Sequence, residues 1–242
     1  MSPCCRSLFS SPTLTVNYYP GGKDEIVYIF GSIGQNRDIR KARPSRDEFV
    51  GFASGGGARH VVVIKDNLRS WFTNADISHT WQFIASVVRG IVQPARISTL
   101  GLSMGGFAAL KYSSLLGADT AIGFSPQFSI DPAVVKDRRW QRFMENVDLS
   151  NQATIGLHDI GPGTYWALFG GQATRDDRHA HKFLAFPQIN VLQSEDGYHN
   201  FPSLMKSKGL LGPLIDHLLE QRELTTLSEY GLQPLQIQKK NR

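Results

Sequence analysis

At 242 residues, with 41% hydrophobic and 19% charged positions, the chain has the length and composition of one folded domain, not of a disordered or fibrous polymer. The formal net charge of +5 is concentrated at Arg37, Arg40, Lys41, Arg43 and Arg46 and at Lys239, Lys240 and Arg242, with no base-reading motif around either cluster. That excludes a nucleic-acid reader and leaves solvated loops, or a contact for an anionic substrate or surface.

Cys4 and Cys5 are adjacent and have no third cysteine to pair with, so no disulfide framework is expected. Ser10, Ser11, Pro12 and Thr13 interrupt the N-terminal apolar positions, against a signal peptide, and no stretch reaches the length of a membrane span. A cytoplasmic protein with reduced thiols is expected.

In chain order, residues 13–19 alternate before Pro20-Gly21-Gly22 and predict an edge strand. Residues 25–30 (EIVYIF) and 60–64 (HVVVI) are short β-branched runs, as for strands buried on both faces. Residues 77–92 have helical spacing, with Trp81, Ile84, Val87, Val88 and Ile91 on one side. A strand at 96–100, a helix at 107–116 closed by Gly117, and strands at 120–124, 164–169 and 189–192 come next. A helix at 210–224 completes the elements, and residues 233–242 read as a mobile tail. Strands alternating with helices predict a doubly wound, mainly parallel sheet covered on both faces, one domain spanning residues 1–232. Residues 127–162 carry no strand signal; Trp140, Phe143 and Met144 at helical spacing suit a small cap or a packed surface helix.

Gly101-Leu102-Ser103-Met104-Gly105, with Gly106 after it, joins the strand at 96–100 to the next helix. Gly-x-Ser-x-Gly between a strand and a helix is the sequence form of a nucleophile elbow, a turn so tight that its flanking residues must lack a Cβ. Ser103 is therefore the candidate nucleophile. A serine needs a base, and the base an orienting acid, all at the C-terminal ends of the strands. His60 precedes a strand, His79 and His217 fall in helices, His158 lies in the cap segment, and His179 and His181 follow the wrong strand. His199, in the Gly197-Tyr198-His199-Asn200 loop after the last predicted strand, is the candidate base. Asp176 or Asp177, in the GQATRDDRHA loop, is the candidate acid, with Asp176 preferred and the other free to cap a helix; Asp131 is the fallback. The backbone N–H of Met104 is one expected oxyanion donor.

The loop Phe30-Gly31-Ser32-Ile33-Gly34 resembles the His-Gly-x-x-Gly loop of many lipases and esterases, with Phe30 in place of the histidine. That resemblance implies the Ser32 N–H as the second oxyanion donor. Elbow, oxyanion-type loop, acid loop and late histidine stand in the order of the α/β-hydrolase superfamily, which the chain resembles from about Glu25 to Leu219. The segments Ser103 to Phe107 and Phe124-Ser125-Pro126-Gln127 look like those of bacterial hydrolase-like proteins of surface-polysaccharide loci.

A serine, histidine and aspartate in this order imply acyl transfer on a small-molecule ester or thioester, with water releasing the acyl group. Acyl transfer to a hydroxyl acceptor such as a saccharide, and a non-catalytic hydrolase-fold binding protein, are the alternatives. Gly31, Trp71, Phe72 and Phe128 are expected to line the substrate site, with Asp66 to Arg69 adding polar contacts. Neither a metal-ligand motif nor a dinucleotide fingerprint is present, so no metal or cofactor is expected. The acyl group, the leaving group and the oligomeric state are not encoded in any motif.

Overall fold

The computed structural model describes residues 5–34, 47–150, 152–171, 175–221 and 224–235. Cys4 and both basic clusters, at 37–46 and 239–242, lie outside them. Nine strands form one sheet among the described residues: β1 (Arg6–Ser10), β2 (Leu14–Tyr19), β3 (Glu25–Phe30), β4 (His60–Asp66), β5 (Arg96–Leu102), β6 (Thr120–Phe124), β7 (Thr164–Gly170), β8 (Ile189–Ser194) and β9 (Leu232–Pro234). Their order is β1-β2-β4-β3-β5-β6-β7-β8-β9. β3 to β8 run parallel, while β1 and β2 at one edge and β9 at the other are antiparallel.

The two-residue period of a strand sends successive side chains to opposite faces, and β3 serves both. Tyr28 and Phe30 join a core with α2 (Ala75–Val92), α3 (Met104–Lys111) and α5 (Asp177–Phe183). Val27 and Ile29 join the opposite core with α1 (Val50–Ala53), α6 (Phe201–Ser207) and α7 (Leu211–Leu219). α4 (Ser113–Leu116) continues α3 beyond Tyr112 and ends at Gly117, whose φ of 65° suits a residue without a Cβ. The doubly wound parallel sheet expected from the sequence is therefore the observed architecture.

The differences lie at the edges. β1 is exposed along its whole length, and β9 is three residues long, so neither carries a burial pattern to read; β9 also puts residues 233 and 234 in the sheet, not in a tail. The buried stripe of α2 is Ile77, Trp81, Ala85 and Val88, starting one turn earlier than expected. Val87 and Ile91 face outward, Ile91 with 77% of its surface exposed. The helix expected at 210–224 stops at Leu219, because Gln221 adopts φ 53° and cannot continue it. In the segment 127–162, Trp140, Phe143 and Met144 lie on and beside a 3₁₀ turn at Gln141–Asn146, and a bridge ties Ser129 to Thr154. No helix among the described residues is long and apolar enough to cross a membrane.

Candidate active site

Ser103 stands between β5 and α3 at φ 56° and ψ −116°, a backbone region that non-glycine residues occupy only under constraint. The constraint is close packing. A Cβ on Gly105 would lie 1.9 Å from the Phe30 carbonyl oxygen, and one on Gly101 2.2 Å from the Gly105 carbonyl. Both glycines are thus required by approach of backbone to backbone, as the motif implied. The Ser103 N–H donates to the Phe124 carbonyl at 2.8 Å, which anchors the turn to β6. Met104, at the first position of α3, has an N–H that no carbonyl within the helix can accept, because the ladder starts with Phe107 N–H to the Ser103 carbonyl.

His199 follows β8. A Cβ on Gly170, at the end of β7, would touch the Tyr198 carbonyl at 2.5 Å, so the histidine loop lies directly on the strand that leads into the acid loop. His199 Nε2 is 2.8 Å from Ser103 Oγ, and its Nδ1–H donates to Asp176 Oδ2 at 2.7 Å. Asp176 is 2% exposed. The structure brings Ser103, His199 and Asp176 into one hydrogen-bonded line. It does not bring in Asp177, which opens α5, or Asp131, whose carboxylate accepts from the Ala133 N–H in a local turn. His60 lies at the other end of the sheet, bonded to Tyr18.

Beyond Asp176 the line continues through residues that the sequence did not single out. Arg139 Nη2 donates to Asp176 Oδ1 at 2.6 Å and to Asp137 Oδ2 at 2.6 Å, and Arg139 Nε also donates to Asp137. His179 accepts from the Phe128 N–H at Nδ1, which leaves its Nε2–H to donate to Asp137 at 3.2 Å. Burial opposes ionisation of Asp176, but the hydrogen bond and charge of His199 and the Arg139 guanidinium outweigh it and hold the carboxyl below the ordinary range. Burial likewise opposes ionisation of Asp137, and His179 and Arg139 overcome it and lower that carboxyl as well. Trp140, next to Arg139, packs its ring 5.9 Å from that of His199, so the segment 127–162 touches the site through two successive residues.

Several expected contacts fall elsewhere. The Ser32 N–H and hydroxyl both donate to the Glu48 carboxylate, at 3.2 and 2.6 Å, so that amide is engaged and does not stand free as an oxyanion donor. Burial pushes the Glu48 carboxyl up, against those two bonds. The Gly31 N–H is taken by the Ile64 carbonyl, which pairs the loop to β4 and does not open it to a ligand. Phe72 packs into the core against Phe30, and Phe128 packs on Phe183 and Phe186. Phe30, where the esterase loop has a histidine, braces the loop by edge contacts with Phe72 and Trp81.

Trp71 does reach the site. Asp66 Oδ2 accepts from the Ser70 N–H, the Ser70 hydroxyl and the Phe72 N–H, and this folds a loop in which Arg69, Trp71 and Phe72 all have positive φ. The indole N–H presented by that loop donates to Gln127 Oε1 at 3.0 Å, and Gln127 Nε2 lies 3.2 Å from Ser103 Oγ. The four-residue run ending in Gln127 was the only sequence signal for that contact; Asp137, Arg139 and Glu48 carried none.

No protein-family model and no curated protein matches the chain by sequence. Solved structures match by shape. A serine hydrolase of the α/β type without a lid, from Xanthomonas campestris, superposes with a TM-score of 0.56 at 15% identity, over 90% of this chain and 95% of that one. The fluorophosphonate-binding serine hydrolase F of Staphylococcus aureus gives 0.54 at 15%, over 90% and 98%. The capsule O-acetyltransferase of Neisseria meningitidis serogroup A gives 0.59 at 10%, over 86% and 93%. Together with the sheet order and the elbow, these likenesses establish that the chain has the α/β-hydrolase fold.

Proposed function

We propose that the chain is a serine hydrolase that cleaves a carboxylic ester or thioester through an acyl-enzyme intermediate. The observation that carries this reading is the unbroken line from Ser103 Oγ to His199 (2.8 Å) and on to Asp176 (2.7 Å) at the end of a strained elbow. A serine on an ordinary surface turn has no reason to be held at φ 56° against a histidine that a buried carboxylate orients.

In this mechanism Ser103 Oγ attacks the substrate carbonyl as its proton passes to His199 Nε2. Asp176 stays ionised and stabilises the imidazolium, and the Met104 N–H faces the negative charge that gathers on the carbonyl oxygen. The leaving alcohol or thiol takes the proton from His199. A water then repeats the sequence on the acyl-enzyme, with His199 as base, and frees Ser103. Trp71 and Trp140 pack ring to ring beside the triad, with centroids 5.7 Å apart, and Trp140 lies against His199.

The second reading, transfer of the acyl group to a hydroxyl acceptor, is favoured by the low exposure of Ser103, at 3%, and by the capsule O-acetyltransferase among the similar folds. A graded series of p-nitrophenyl esters, with and without an added alcohol acceptor, tests both. Turnover that disappears in Ser103→Ala supports the proposal; acyl-alcohol product in excess over free acid selects transfer. Undiminished turnover in Ser103→Ala refutes both.

A further inference from the structure

With the Ser32 amide engaged by Glu48, the site needs a second group to receive the negative charge, and one side chain already touches the reacting atom. We infer that Gln127 is a catalytic hydrogen-bond donor, its Nε2–H, in contact with Ser103 Oγ, stabilising the charge that gathers on the carbonyl oxygen of the carbon that Oγ attacks. This rests on the serine-hydrolase proposal and names a residue for which that proposal has no role.

The orientation of the amide is set by its partners. The Trp71 indole N–H can only donate, so the atom facing it must be the Gln127 oxygen, and the NH₂ must face Ser103. Gln127 has none of its surface exposed, and water does not compete for either end. The indole is itself fixed, since its loop is pinned by three hydrogen bonds to Asp66 and its ring lies 5.9 Å from that of Phe143.

The same bond sets the direction of the nucleophile's proton. Ser103 Oγ has one hydrogen and two lone pairs. Because Gln127 donates to one lone pair, the hydrogen is left for His199 Nε2, and the remaining lone pair faces the substrate. In the attack the Oγ–H bond breaks and its proton goes to His199, the Oγ–C bond forms, and the carbonyl π pair moves to oxygen. No other reactant is required. Gln127 contributes to rate because its NH₂, which donates to the neutral Oγ before attack, is then beside the carbonyl oxygen held on the same carbon, and a bond to that charged oxygen is about twice as strong. Only a bond that strengthens on the way to the transition state accelerates the step.

The experiment compares Gln127→Met, which keeps the volume and removes the donor, with Gln127→Glu, which keeps an oxygen facing Trp71 and puts a second carboxyl oxygen in place of the NH₂. Initial rates on p-nitrophenyl acetate are resolved into kcat and KM, and thermal melting checks the fold of each variant. A lost oxyanion-type donor predicts a fall in kcat of about 10²- to 10³-fold in both, with KM changed by less than about threefold. Fluorophosphonate labelling of Ser103 should persist at a reduced rate. If either folded variant keeps kcat within about threefold of the parent, Gln127 is a packing residue and the inference fails, while labelling and turnover of the parent leave the serine-hydrolase proposal standing. If the parent is not labelled at Ser103, the proposal itself falls and Gln127 with it. Should Gln127→Met not fold, the rate of Gln127→Glu decides.

Discussion

Replacing Asp176 by asparagine has an outcome that the surrounding hydrogen bonds determine in detail. The two carboxylate oxygens of Asp176 are not equivalent: Oδ1 accepts from Arg139 at 2.6 Å and Oδ2 accepts from His199 at 2.7 Å. A guanidinium has only donors, so an asparagine must turn its carbonyl oxygen to Arg139 and its NH₂ to His199. The NH₂ is a donor facing the ring nitrogen that normally donates. The imidazole then gives up the Nδ1 proton and carries it on Nε2, where it can no longer accept from Ser103. The expected loss is that of the wrong tautomer, about 10⁴-fold in kcat. At about 1.36 kcal/mol for each tenfold step this is roughly 5.5 kcal/mol of transition-state stabilisation. The same logic predicts a partial rescue. In Asp176→Asn with Arg139→Gln the asparagine is free to flip and offer its oxygen to His199, so the double variant should hydrolyse p-nitrophenyl acetate faster than Asp176→Asn alone. The assay is kcat for the two single variants, the double variant and the parent, arranged as a cycle. A double variant slower than Asp176→Asn, or Asp176→Asn within tenfold of the parent, refutes the argument that Arg139 dictates which oxygen faces the base.

Individual contacts set the remaining outcomes. Asp177→Asn should leave kcat within about threefold, because Asp177 lies in the first turn of α5 and contributes through the helix dipole, about 0.3–1 kcal/mol in a urea melt. Gly105→Ala should lower stability by about 1–3 kcal/mol or prevent folding, since its methyl group would overlap the Phe30 carbonyl; an unchanged urea midpoint contradicts that packing. Burial pushes the Asp66 carboxyl above its ordinary value, against the bonds from Phe72 and Ser70, so the folded chain binds that proton more tightly than the unfolded chain. This contribution is fully present below the unfolded value of about 3.9 and is lost as pH rises through the folded value. Urea melts between pH 4 and 8 should therefore fall less steeply with pH in Asp66→Asn than in the parent, and a steeper fall in the variant reverses the assigned sign.

The parts of the fold that could be read from sequence are those where burial leaves a period. β3 to β8 are short apolar runs because both faces are covered, and Ser103 is announced by glycines that backbone contact requires. His199 and Asp176 were reachable by elimination, since a doubly wound sheet brings only the loops after its strands to one edge. The rest of the site depends on partners remote in sequence. Arg139, held by Asp137, meets Asp176 across about forty residues, and nothing in Asp137-Arg138-Arg139-Trp140 marks it as different from a solvated charge run. Ser32 matched a loop pattern but could not reveal that Glu48, sixteen positions on, would take its N–H. Phe72 and Phe128 are aromatic and lie after strands, but nothing in their sequence could reveal that they would pack on Phe30 and on Phe183.

The most direct test of a covalent Ser103 intermediate is mass spectrometry of the protein quenched in acid during turnover of p-nitrophenyl acetate. The account predicts a single acetyl group on the peptide containing Ser103 in the parent, and none in Ser103→Ala. An acetyl group on another residue, or its persistence in Ser103→Ala, would contradict it.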